Sequence, residues 1–207
     1  MLAFYAIAVV YLCASQLQNL PEISYIKRRG FVVYYLKCGF ECMTAERKDM
    51  SDFTVRPMTI EDYEDVSALW HTIDGFAIRS IDDSKEGVET FLKRNPTTSV
   101  VAIKEGKLVG AILCGHDGRR GCMYHVCVHK EYRRHGIGKA MVVFCMEALK
   151  CEHINKVSLI AFTKNDVGNA FWRSIGWTKR EDLNYYDFTL NTENIIAYIN
   201  ADQEAKS

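Results

Sequence analysis

Residues 122–151 read CMYHVCVHKEYRRHGIGKAMVVFCMEALKC, and the fold turns on how this stretch divides. Cys122 to Val128 is an apolar run of strand length. From Ile137 the period changes: Ile137, Ala140, Met141, Phe144, Cys145, Ala148 and Leu149 recur at helical spacing, one stripe to bury against a sheet. Between strand and helix stand Arg133, Arg134, His135, Gly136, Ile137, Gly138 and Lys139. Glycines that lead a strand into a helix expose unpaired N–H groups at the positive helix end, a nest for phosphate. The spacing is neither that of a Walker loop nor G-x-G-x-x-G.

Upstream, Phe53 to Arg56 reads as a short strand, and Thr59 with Asp62 resembles a capping box. Tyr63, Val66, Trp70 and Ile73 give a first helix. Asp83 with Glu86 is expected to open a second, carrying Val88, Phe91 and Leu92 and closed by Pro96. Strands Thr98 to Ile103 and Leu108 to Cys114 follow, joined at Glu105-Gly106-Lys107, and a turn from Gly115 to Gly121 leads into the strand above. Downstream come a strand from Val157 to Phe162, a helix from Asp166 to Ile175 stopped by Gly176, and a last strand from Leu183 to Leu190. Hairpins followed by a strand–helix–strand crossover imply an α/β (α+β) domain, its mixed, mostly antiparallel sheet carrying helices on both faces.

Of 207 residues, 48% are hydrophobic and 25% charged, enough for a packed core. Lys plus Arg and Asp plus Glu both number 26, so no basic excess marks a nucleic-acid or anionic-membrane binder. The eight cysteines lack the density of a secreted disulfide scaffold. Cys122, Cys127, Cys145 and Cys151 sit among apolar neighbours, where a thiol packs as a small hydrophobe. Cys38 and Cys42 have no matching ligand pair, so no metal site is expected. A reducing cytoplasm follows as the expected location.

The chain divides near residue 50. Residues 50–195 form the expected domain, 1–49 an extension and 196–207 a tail. The apolar run 1–14 is shorter than the roughly 20 residues of a bilayer span, which makes a membrane role the lesser expectation. Translation upstream of a start at Met43 or Met50, a signal or anchor, and a docked helix all remain open for it.

The segment from Val126 to Gly138 resembles the acetyl-CoA signature of the GNAT superfamily of N-acetyltransferases, a hydrophobic strand and then [QR]-x-x-G-x-[GA] opening a helix. Asn165, Phe171-Trp172 and Gly176-Trp177 are similar to a second motif of that family, at its usual distance, and Val55-Arg56-Pro57 resembles its first strand. The resemblance spans Phe53 to about Leu190. It implies that N–H groups from Arg134 to Lys139 hold the pyrophosphate of acetyl-CoA, with Arg133 supplying charge or loop structure. It also implies that Val126 and Val128 pair with the pantetheine, that an N–H near Cys127 faces the developing oxyanion, and that Asn165 meets the pantetheine arm. Read alone, Asn165 is equally a helix N-cap.

Acetyl transfer needs an amine relieved of its proton, and an acid for the departing thiolate. Where the chain has Trp172, many family members carry a tyrosine as that acid, and an indole is no practical proton donor. Tyr124, Tyr185 and Tyr186 are the alternatives, and His125 is the titratable group on the central strand. Cys127 as a nucleophile is the poorer reading, so direct attack is expected. On the turn, Asp117, Arg119 and Arg120, with His116 beside them, are candidates to meet the acceptor, a small-molecule or peptide amine. A CoA-binding sensor without strong catalysis is the alternative function. Either a monomer or a homodimer is expected.

Overall fold

A computed structural model describes residues 53–199, together with the backbone of three strands ahead of them: β1 (Ser24–Arg28), β2 (Phe31–Tyr35) and β3 (Arg47–Lys48). These three form an antiparallel sheet in the order β1-β2-β3. The expectations for residues 1–14, Cys38, Cys42, Met43 and Met50 lie outside the described residues.

The domain proper runs β4 (Thr54–Pro57), α1 (Tyr63–Trp70), β5 (Ala77–Arg79), α2 (Lys85–Arg94), β6 (Val100–Lys104), β7 (Lys107–His116), β8 (Gly121–Val128), α3 (Ile137–Cys151), β9 (Val157–Leu159), α4 (Asp166–Ser174) and β10 (Ile196–Tyr198). Five strands make the central sheet, in the order β4-β6-β7-β8-β9. The first three pairings are antiparallel and β8–β9 is parallel. A parallel neighbour needs a crossover, which α3 provides. The fold is therefore the mixed, mostly antiparallel sheet expected.

Local chemistry explains the element ends. Asp62 accepts the Thr59 N–H at 2.9 Å and pairs with Arg56 through both carboxylate oxygens, starting the turn that leads into α1. Glu105 and Gly106 both take positive φ, 51° and 74°, the geometry of a two-residue hairpin turn between β6 and β7. One core lies between α3 and the sheet, built on Ile137, Met141, Val142, Phe144, Cys145 and Leu149. On the other face Val66, Leu69 and Trp70 of α1, with Val88 and Leu92 of α2, cover Val101, Ala111, Leu113 and Cys127. Each large side chain so buried contributes about 1.5–3 kcal/mol.

Four expectations are corrected. Helix α2 starts one residue later than expected: Ser84, not Asp83, caps it, accepting the Gly87 N–H at 3.1 Å. Strand β9 stops at Leu159 rather than Phe162. Residues 183–190 form no strand, and Tyr186, Phe188 and Leu190 are 84%, 86% and 93% exposed. Strand propensity is local, but a strand exists only where another edge accepts its hydrogen bonds. The segment that does find an edge comes later, where β10 pairs antiparallel with β5 in a separate two-stranded sheet. Finally, Cys114, Cys122, Cys127 and Cys145 are free thiols, but Cys151 is disulfide-bonded.

Candidate functional site

The register of β8 against β7 slips at its centre. Tyr124 pairs with Leu113 and Cys127 with Ala111, so His125 and Val126 together oppose the single residue Ile112. This is a β-bulge, and His125 adopts φ 47° within it. In a regular strand neighbours point to opposite faces. Here the bulge turns two consecutive side chains, Tyr124 and His125, to the face covered by α1 and α2. The Tyr124 ring meets Phe91 of α2 edge-on at 6.0 Å. The His125 ring lies 4.7 Å from Trp70 of α1 and 5.4 Å from Phe76.

His125 has a charged partner that the sequence did not suggest. Its Nε2 stands 2.7 Å from Oδ1 of Asp83, while Asp83 Oδ2 accepts the Arg79 N–H at 2.7 Å. Asp83 is 8% exposed, and its carbonyl accepts the Tyr63 hydroxyl at 3.0 Å. Beside them the Trp70 Nε1–H is buried, with no acceptor among the described residues. The loop that carries Asp83 is clasped by the C-terminal segment. Asn194 Oδ1 accepts the Ile81 and Asp82 N–H groups, and its Nδ2 donates to Asp82 Oδ2 at 2.8 Å. Ser80 adds bonds to Glu193 and Ile195.

On its other side β8 is only half covered. Pairing with β9 ends at Met123–Leu159, and among the described residues no strand pairs with the edge beyond it, which is open in that sense. His129 N–H bonds to the Val109 carbonyl on the β7 side at 2.8 Å. Main-chain groups alternate along a strand, so those of Val128 and Val126 face the open edge. Arg133 reaches back there, its Nε donating to the Val128 carbonyl at 3.0 Å. The loop then passes through Arg134 at φ 69° and Gly136 at φ 79°.

Gly136 is the N-cap of α3, with no capping side chain and no acidic residue in the first turn. The first helical bond is Ala140 N–H to Gly136 at 3.0 Å, so the N–H groups of Ile137, Gly138 and Lys139 precede the ladder. Ile137 is buried in the core and offers only its backbone. A Cβ on Gly138 would stand 3.4 Å from the Phe171 ring, so this glycine lets α3 and α4 lie close. Arg134 and His135 are exposed on the loop.

The remaining sequence candidates divide. Asn165 caps α4, its Oδ1 accepting the Gly168 N–H at 2.8 Å. Trp172 packs between Phe171 and Trp177, ring centroids 5.0 and 4.8 Å away. Cys127 is buried with its thiol toward the Ala111 carbonyl, and burial pushes that thiol up to about 12. A thiol so raised is a poor nucleophile. Burial also raises the Tyr124 phenol, with the Cys122 thiol next in weight and Tyr185 adding to it. Tyr185 is thus near Tyr124 although the strand expected there is absent; Tyr186 points to solvent. Asp117 is spent on its own turn, its Oδ1 accepting the Arg119 and Arg120 N–H groups at 2.8 and 2.7 Å. Gly118 supplies the positive φ of this turn, 89°. His116 Nδ1 accepts the Gly118 N–H.

Among the described residues no three His, Cys, Asp or Glu side chains group as a metal site, and no helix is long and apolar enough to cross a membrane. Comparison with known proteins points one way. The chain is 28% identical over 129 residues to an acetyltransferase of Sodalis glossinidius, covering 62% of this chain and 89% of that protein. It is 30% identical over 112 residues to one of Pectobacterium atrosepticum, covering 54% and 78%. Among solved structures it resembles the PaiA N-acetyltransferase of Thermoplasma acidophilum in complex with coenzyme A, with TM-score 0.55 and 19% identity over 70% of this chain and 96% of that one. An aminoglycoside acetyltransferase from an uncultured soil metagenomic sample gives TM-score 0.54 and 19% identity over 69% and 99%. Residues 61–177, more than half of the chain, match the model of the Acetyltransferase (GNAT) family, and to that family this chain belongs.

Proposed function

We propose that the chain transfers an acetyl group from acetyl-CoA to a primary amine of a small molecule or peptide, by direct attack of the amine. The observation that carries this is the course of β8. Its bulge puts Tyr124 and His125 on one face, and its open edge leads to the uncapped N-terminus of α3. The pyrophosphate suits the N–H groups from Arg134 to Lys139, where the helix end favours an anion and the first turn carries no acidic residue. The pantetheine suits the edge at Val126 and Val128. Cys127, its thiol buried and its main chain turned to β7, serves the packing of the strand, and Asn165 has its amide nitrogen left for a ligand. Trp172 acts as wall.

Bound acetyl-CoA supplies a thioester carbonyl for the amine to attack. His125 takes the proton the amine nitrogen sheds, and Tyr124 gives one to the thiolate as the C–S bond breaks. Solvent then takes the proton from His125 and returns one to the phenol, which closes the cycle. At the far end of β8, Arg119 and Arg120 are exposed and suited to a carboxylate or phosphate on the acceptor. Catalysis is assigned to residues 50–195, with β10 holding the loop of Asp83.

The test is transfer from labelled acetyl-CoA across a panel of amines, with calorimetric titration of CoA alongside. Transfer to at least one amine is expected. Trp172 in the tyrosine's place favours the sensor as second reading, and CoA binding without transfer to any amine would establish it.

A further inference from the structure

We infer that Asp83 is a positioning residue acting through His125. It holds the imidazole in the tautomer whose Nδ1 lone pair receives the amine proton. The inference rests on the acetyltransferase reading above and on His125 as its base.

A carboxylate only accepts hydrogen bonds, so Nε2, 2.7 Å from Asp83 Oδ1, carries the ring proton. The lone pair is then on Nδ1, the ring nitrogen nearer the main chain of β8. Asp83 cannot swing away. Its second oxygen is held by the Arg79 N–H, its carbonyl by Tyr63, and it is buried. Trp70 and Phe76 fix the plane of the imidazole, with interplanar angles of 42° and 34°. A role for Asp83 as helix cap is already excluded, because Ser84 serves α2.

The arrangement also costs conformation. His125 is held at φ 47°, a region sparsely populated by residues with a Cβ, and within a strand rather than a turn its surroundings must enforce it. The enforcement comes from a distance: the loop of Asp83 is fastened by Asn194 through Ile81 and Asp82.

The first test needs no variant. Nitrogen NMR of the imidazoles in the full chain, at a pH where His125 is neutral, should show it protonated on Nε2. A resonance pattern with the proton on Nδ1 overturns the proposal. The second test is kinetic, with an acceptor from the amine panel. Asp83→Asn, whose amide can donate to Nε2 and favour the other tautomer, should lower kcat by about 10-fold or more, within the range of general base catalysis. Its KM for acetyl-CoA and its melting temperature should stay near wild type, which a merely structural role would not predict. Adding Asp83→Asn to His125→Gln should lower kcat no further, since both act through one group. Wild-type kcat in Asp83→Asn with an impaired His125→Gln overturns the positioning role and leaves the base standing. Wild-type kcat in His125→Gln removes the base and the proposal with it. CoA binding without transfer in the wild-type chain is the distinct failure of the acetyltransferase reading.

Discussion

Gly136 stands at φ 79° with no atom within 4 Å of where a Cβ would project. Its requirement is therefore conformational, not a matter of space inside the protein. Valine there is strained by about 1–2 kcal/mol, whereas asparagine tolerates the left-handed region. Gly136→Asn should keep the melting temperature within a few degrees of wild type and still weaken CoA binding, because its side chain stands over the exposed N–H groups. Calorimetry with a parallel thermal melt checks this. At Tyr124 the raised phenol stays protonated through the neutral and mildly alkaline range, since its ordinary value is already about 10. Tyr124→Phe should lower kcat about 10-fold or more. The wild-type rate should show no alkaline loss from this group below about pH 10, as a pH–rate profile of both proteins would reveal.

The turn between β7 and β8 depends on one carboxylate. Backbone N–H groups of Arg120 and then Arg119 hold Asp117 below its ordinary carboxyl value. A carboxyl depressed in the folded state adds stability above its unfolded value, about 3.9, and loses it as the pH falls through the lowered folded value. Amide exchange at Arg119 and Arg120, corrected for intrinsic rate, should be slow at neutral pH and quicken only below about pH 4. In Asp117→Ala it should be fast at both. Arg119→Ala and Arg120→Ala leave that carboxylate's bonds intact, since they use the main chain. Each should raise the acceptor KM with unchanged acetyl-CoA affinity; equal acceptor kinetics in both variants and wild type would return these arginines to solvent.

At the scale of the molecule, the two ends of the site are held by different parts of the chain. The α3 end is built by β8, its loop and α4, all close in sequence. The His125 end depends on β5 and the loop to Asp83, which are tied to β10 and Asn194 more than 110 residues away. A chain ending at Thr192 loses that clasp. It should retain CoA affinity while its kcat drops, as steady-state kinetics and CoA titration of the shortened protein would show. Loss of CoA binding instead would mean that the clasp supports the whole sheet.

The α3 helix, its glycine entry and the hairpin strands were legible because each is decided by residues a few positions apart. An apolar stripe from Ile137 to Leu149, or Glu105 and Gly106 at positive φ, needs no information from elsewhere. The sequence also named Tyr124 and His125, but it could not say that they share a face. A bulge is a slip between strands, visible only once β7 lies beside β8. Asp83 was misread for the same reason. Two residues ahead of a helix, a carboxylate resembles a cap, and its partner His125 is 42 positions away. Leu183 to Leu190 has the composition of a strand, yet Ile196 to Tyr198 pairs with β5 instead. Propensity and periodicity act along the chain, whereas strand edges, bulges and buried charge pairs are settled across it by which backbone groups and side chains burial brings together.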